Sequence, residues 1–169
     1  MGSMKQAIVV YDSVYGNTEA VAKAIAEGLG ARGTVQARLA RVGAVRPETV
    51  AGNDIIVLGS PNHFGSPTRA LKRIIRRLGR SNLSGKTVAV FDTCFEPDRG
   101  KATRRMEERL SQEVHGARIL APGLSTVVVD MKGPLREGEL ARSREFGGRL
   151  LADANAEWGD RDGAKAPAS

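Results

Sequence analysis

Apolar residues along this chain fall into two alternating patterns. Short continuous runs stand at residues 5–11 (KQAIVVY), 54–60 (DIIVLGS) and 86–92 (KTVAVFD). Rich in Val and Ile and too short for helices, they suit strands buried on both faces of a parallel sheet. Between them apolar positions recur every three or four residues, the spacing of one buried helix face. Val21, Ile25 and Leu29 do so within 17–30, and Leu71, Ile74, Ile75 and Leu78 within 67–78. Pro67 suits the first turn of the second of these helices, and Gly79 its stop. A weaker strand at 34–39, a short irregular or helical piece at 47–51 and an amphipathic helix at 102–114 follow the same logic. A fifth strand within 117–129, broken at Pro122-Gly123, and a last helix over 137–155 complete the series.

Strands and helices alternating at this spacing predict an α/β protein with a doubly wound parallel sheet, whose right-handed crossovers leave ligands beyond the carboxyl ends of the strands. At 169 residues the chain has the size of one domain, expected over residues 4–157. Residues 158–169 end in a small, polar, Gly/Pro/Ala-rich stretch and are expected to form a disordered tail. The opening Met1 to Ser3, ahead of a second methionine, reads as an expression scar. No run approaches the roughly 20 apolar residues of a membrane span, so no membrane insertion is expected. The single cysteine, Cys94, forbids an internal disulfide, and a cytoplasmic location is the default expectation.

The first strand is followed at once by Ser13-Val14-Tyr15-Gly16-Asn17-Thr18, which opens the first helix. Gly16 permits close backbone approach, Ser13 and Thr18 bring hydroxyls and Asn17 an amide. The helix start adds unpaired N–H groups and a favourable dipole. No lysine follows the glycine as in a nucleotide-triphosphatase loop, and no G-x-G-x-x-G is present. Neutral donors of this kind suit a single terminal phosphate.

The hexapeptide resembles the FMN phosphate loop of the flavodoxin family, Ser or Thr, two variable positions, then Gly-Asn-Thr. The resemblance runs over about residues 4–152, because two later loops match in place and character: 59–67 (GSPNHFGSP) after the third strand and 91–95 (FDTCF) after the fourth. It implies a flavodoxin-like three-layer sandwich with a five-stranded parallel sheet in order 2-1-3-4-5, binding FMN. The implied cofactor-binding set is Ser13, Val14, Tyr15, Gly16, Asn17 and Thr18 from the first loop. The second loop adds Pro61, Asn62, His63, Phe64 and Gly65, and the third Thr93, Cys94 and Phe95. An isoalloxazine ring needs an apolar slot with a few backbone hydrogen bonds. Phe64 is the first choice for one ring face and Phe95 for the other wall; Asn62 and His63 would line the flavin's N5 side, and amides near Thr93 and Cys94 its pyrimidine edge. No catalytic acid/base pair and no metal-ligand cluster is evident.

Charge changes the picture of the partners. The net charge is +7 and the sequence pI about 10.1, whereas flavodoxins of the usual kind are strongly acidic. Arg69, Lys72, Arg73, Arg76, Arg77 and Arg80 form one helical stripe opposite the apolar one, and Lys101, Arg104, Arg105 and Arg109 follow on the next helix. The stripe is expected to dock an acidic redox partner protein or the phosphates of NAD(P)H. No specific nucleic-acid binding is expected, since no recognised motif or aromatic platform accompanies it. The leading expectation is an FMN redox protein passing electrons to or from a partner protein, a carrier more than a stand-alone oxidoreductase. The alternatives are an NAD(P)H-dependent FMN reductase of quinones or other small acceptors, and a non-redox interaction module with a vestigial flavin site.

Overall fold

The protein is described here by a computed structural model covering residues 4–164. The three apolar runs become its central strands, β1 (Lys5–Tyr11), β3 (Ile55–Pro61) and β4 (Thr87–Cys94). With β2 (Val35–Arg41) they form a parallel sheet in the order β2-β1-β3-β4. Successive side chains point to opposite faces, and here both faces are covered. Ala7, Val9, Tyr11, Val57 and Phe91 enter one core, while Ile8, Val10, Ile56, Leu58 and Val90 enter the other. That double burial is why these strands read as unbroken apolar runs.

The first core lies under α1 (Asn17–Gly30) and α5 (Glu139–Ala164). The second lies under α3 (Arg69–Leu78) and α4 (Lys101–Glu113), with the short α2 (Pro47–Ala51) at its edge. Leu71, Ile74, Ile75 and Leu78 of α3 are all buried, each contributing about 2 kcal/mol relative to exposure. α1 and α5 cross at glycines: a β-carbon on Gly28 would run into the Arg144 carbonyl, and one on Gly147 into that of Ile25.

The break expected in the fifth strand at Pro122-Gly123 is present: the strand is two segments, β5 (Arg118–Ile119) and β6 (Leu124–Val127); both pair with β4, at Thr87–Val88 and at Phe91–Cys94, so together they fill one edge position. The chain between them carries Pro122-Gly123, and a β-carbon at Gly123 would lie 2.5 Å from the Val90 carbonyl oxygen. Three expectations need correction. β4 runs to Cys94, so Thr93 and Cys94 are strand residues and not loop residues. Pro67 precedes the cap of α3; the Thr68 hydroxyl accepts a hydrogen bond from the Leu71 amide and fixes the start at Arg69. Helix α5 passes residue 157 and continues to Ala164, where a disordered tail was expected. Lys5 stands 4.9 Å above the Trp158 ring, and Arg161 pairs with Glu157 and approaches Gly85, which anchors that extension to the amino end of the sheet. Residues 165–169 of the expected tail lie outside the described residues. No described helix is long and apolar enough to cross a membrane.

Candidate functional site

A cleft opens where β1, β3, β4 and β6 end. Its walls come from all three loops singled out by sequence: Ser13, Val14, Tyr15, Asn17 and Thr18 from the first, Pro61, Asn62 and His63 from the second, and Thr93, Cys94 and Phe95 from the third. Val128 and Met131 complete it.

The first loop is a built anion cradle. Gly16, at φ 91°, caps α1 in the left-handed region that glycine tolerates, and no side chain caps the helix in its place. The first-turn amides therefore remain free for a ligand. Ser13 Oγ accepts from the Gly16 amide at 3.1 Å and Arg41 donates to the Ser13 carbonyl at 3.2 Å, so the loop is held from both sides. Thr18 Oγ1 and Thr93 Oγ1, 2.8 Å apart, tie it to β4. Glu19, the one acid of the first turn of α1, is paired with Arg41 and accepts from the Tyr11 hydroxyl.

The second loop divides into two functions. Asn62 faces the cleft; its amide donates to the Thr93 carbonyl at 2.8 Å and its Nδ2 to Asp98 Oδ2 at 3.1 Å. Asn62 Oδ1 is buried without a partner, an acceptor in the wall that a ligand bearing N–H or O–H groups would satisfy. Beyond it, His63 and Ser66 exchange two backbone hydrogen bonds (2.8 and 3.0 Å) around Phe64 (φ 52°) and Gly65 (φ 78°). Two successive positive φ values make a tight hairpin turn. This geometry turns Phe64 out of the cleft: the ring expected over the ligand is fully exposed at the tip, and Gly65 likewise lies outside the walls. Val14, Tyr15, Phe95 and Met131 are the large, exposed apolar side chains at the walls.

Beneath the third loop lies a buried polar network. Asp92 is fully buried on β4; its carboxylate accepts from Ser125 Oγ at 2.5 Å and from the Thr103 amide at 3.0 Å, at the start of α4. Burial pushes this carboxyl up to about 6, against the lowering effect of those bonds. Burial also pushes the Cys94 thiol up to about 11. Buried within reach of Ser125 Oγ and the Thr126 carbonyl (3.4 Å each), the Cys94 thiol has the surroundings of a structural cysteine. For Asp92 the sign is unusual among carboxylates. The folded state holds the proton more tightly than the unfolded chain, so stability declines as pH rises from about 4 to about 6 and then levels. Denaturant melts across that range are expected to show the wild type losing up to about 3 kcal/mol relative to Asp92→Asn; a pH-independent difference would refute the assignment.

Two wall residues escaped the sequence reading. The segment after β6 folds back on itself, with Val128 bridging Leu135 and the Gly133 amide donating to the Asp130 carbonyl at 2.9 Å. It brings Val128 and Met131 to the cleft and packs against the first loop, where a β-carbon on Gly133 would lie 2.6 Å from Asn17 Oδ1. The available signal was positional: Asp130-Met131-Lys132-Gly133 is a turn at the carboxyl end of the last strand. Among the described residues, no group of three or more His, Cys, Asp or Glu is placed to hold a metal ion.

Comparison with known proteins converges on this arrangement. The flavodoxin family model matches residues 9–143. The NAD(P)H dehydrogenase (quinone) of Archaeoglobus fulgidus is 28% identical over 145 residues, covering 69% of this chain and 76% of the relative. Among solved structures, a flavodoxin from the domain Archaea superposes with a TM-score of 0.76 at 23% identity, over 89% of this chain and 99% of that one. Oxidised Flavodoxin 2 from Bacillus cereus gives 0.73 at 26% identity, over 88% and 98%.

Proposed function

Since the chain belongs to the flavodoxin family and binds FMN, we propose that it is an electron carrier serving a partner protein, with the cofactor held in the cleft described above. The observation that carries this reading is the composition of the walls. Donors for an anion, an unsatisfied buried acceptor and apolar side chains are all present, yet no acid/base pair is. Ser13, Asn17, Thr18 and the amides of 14, 15, 17 and 18 would hold the phosphate, the Gly16 amide being taken by Ser13 Oγ. Tyr15 and Phe95 would flank the ring, with Asn62, His63, Thr93 and Cys94 along its edge and Val128 and Met131 narrowing the mouth. When bound, FMN supplies the capacity to take up and release electrons. The residues themselves bind it, orient it and leave one side open. We assign the chain to the cytoplasm, the default for a sequence whose one cysteine can form no internal disulfide.

A second reading, an NAD(P)H-dependent reductase of quinones or other small acceptors, is favoured by the open mouth of the cleft and by relatives bearing that name. Anaerobic mixing of the FMN-loaded chain with NADPH separates the two. The carrier reading expects bleaching of the flavin band slower than about 0.1 per second, two decades below a median enzyme turnover. Bleaching at or above that median would establish the reductase instead.

A further inference from the structure

The fold leaves one aromatic ring with no role inside the molecule. Phe64 is the single described non-glycine residue at positive φ, and its side chain is fully exposed. An L residue in the left-handed region is strained, and Phe64 recovers none of that strain by burial. The turn is nevertheless fixed: two His63–Ser66 hydrogen bonds close it, Ser60 Oγ accepts from the Thr68 amide just after it, and Gly65 lies against the Lys101 stem, where a β-carbon would come within 3.5 Å. The ring is thus presented rigidly, beside the cleft and at the amino ends of α3 and α4.

From that point the outer face of α3 is cationic without interruption. Between Arg69 and Arg77, about 12 Å of helix, it carries five cations and no acid, and Arg80 follows. None of these six forms an ion pair among the described residues. α4 lies beside α3 on the same core and is more balanced: Lys101 and Arg109 are paired with Asp98 and Glu113, and Glu108 stands in the groove between the helices.

We propose that the Phe64 turn and the outer face of α3 form one docking surface for an acidic redox protein, with Phe64 as its apolar anchor and the stripe as its steering field; this rests on the electron-carrier reading above. The extent of the stripe selects a macromolecule over a nicotinamide phosphate, which would engage one or two cations. One aromatic at one end, without further aromatics along the row, selects a protein over single-stranded nucleic acid. Phe and Arg are also among the residue types enriched at protein–protein interfaces.

The test uses a strongly acidic iron–sulfur ferredoxin as probe. Binding to the FMN-loaded chain is measured by calorimetry, and flavin reduction by the reduced ferredoxin by stopped flow, for wild type, Arg73→Glu/Arg76→Glu and Phe64→Ser. We expect affinity and second-order rate to fall at least about tenfold in the charge-reversed variant and on raising salt from low to physiological ionic strength. Phe64→Ser is expected to fall about fivefold with the wild-type salt slope. FMN affinity should be the same in all three. Ferredoxin binding indifferent to both variants would overturn the proposal, as would a DNA oligonucleotide that outcompetes ferredoxin for the same face. If the variants weaken binding but no electron reaches the flavin in any of them, the surface stands and the carrier reading falls.

Discussion

Asn17→Asp is expected to lower FMN affinity by about a hundredfold while changing riboflavin affinity by less than about threefold. Asn17 stands at the first position of α1 in the wall of the cleft, its side chain set against Gly133. The substitution is nearly isosteric, so the only large change is a negative charge placed beside the site assigned to the phosphate. Two like charges about 4 Å apart repel by about 4 kcal/mol at an effective dielectric near 20, and partial solvation reduces that to about 3, or two decades in affinity. The fold should tolerate the change, because a carboxylate in the first turn of a helix interacts well with its dipole. Fluorescence titration with the two ligands provides the check. Equal losses for FMN and riboflavin would mean that the phosphate does not occupy the first loop.

The second large effect concerns stability. Gly59 occupies β3 opposite Phe91 on β4, and a β-carbon on Gly59 would sit inside the Phe91 ring. Phe91 is fully buried, so its ring has no free volume to enter. Gly59→Ala is therefore expected to destabilise the protein by about 3 kcal/mol, at the upper end for overpacking. Phe91→Leu in the same background should restore part of that, while alone it leaves a void and costs about 1–2 kcal/mol. A double-mutant cycle in denaturant measures the coupling. Additive effects of the two substitutions would show that the ring is not what excludes a side chain at position 59.

Much of this arrangement was legible in the residues, for reasons that differ by element. The central strands were, because burial on both faces leaves an uninterrupted apolar run in β1, β3 and β4. Helices α1 and α3 were, because each buries only one stripe. Where burial is partial the signal fades: β2 is an edge strand in which only Val35 is buried, and its end at Arg41 lay beyond the expected 39. Helix α5 was read as stopping near 155, since its last turns pack through Lys5 against Trp158 and through Arg161, contacts with residues far away in sequence. The site shows the same division. Eleven of the fourteen expected cofactor residues line one cleft because strand ends bring them there. Phe64 misses it because the paired positive φ values of a two-residue turn redirect the side chain, and nothing in the string Asn-His-Phe-Gly-Ser announces that turn as distinct from an open loop. Met131 was missed because a turn's contribution to a pocket depends on where it folds back.

The position of Trp158 has a practical side. It is the molecule's sole indole, and it sits at the amino end of the sheet with Lys5, Asp54 and Lys86, the pole opposite the cleft. Its emission is therefore a built-in optical gauge of whether the carboxyl-terminal helix is seated. Undocking of α5 would register there before the central strands separate, while changes around the flavin would reach the indole only through long-range energy transfer. An unfolding curve followed at the indole and one followed at the flavin would watch opposite ends of the same molecule, and any offset between them would measure how independently those ends come apart.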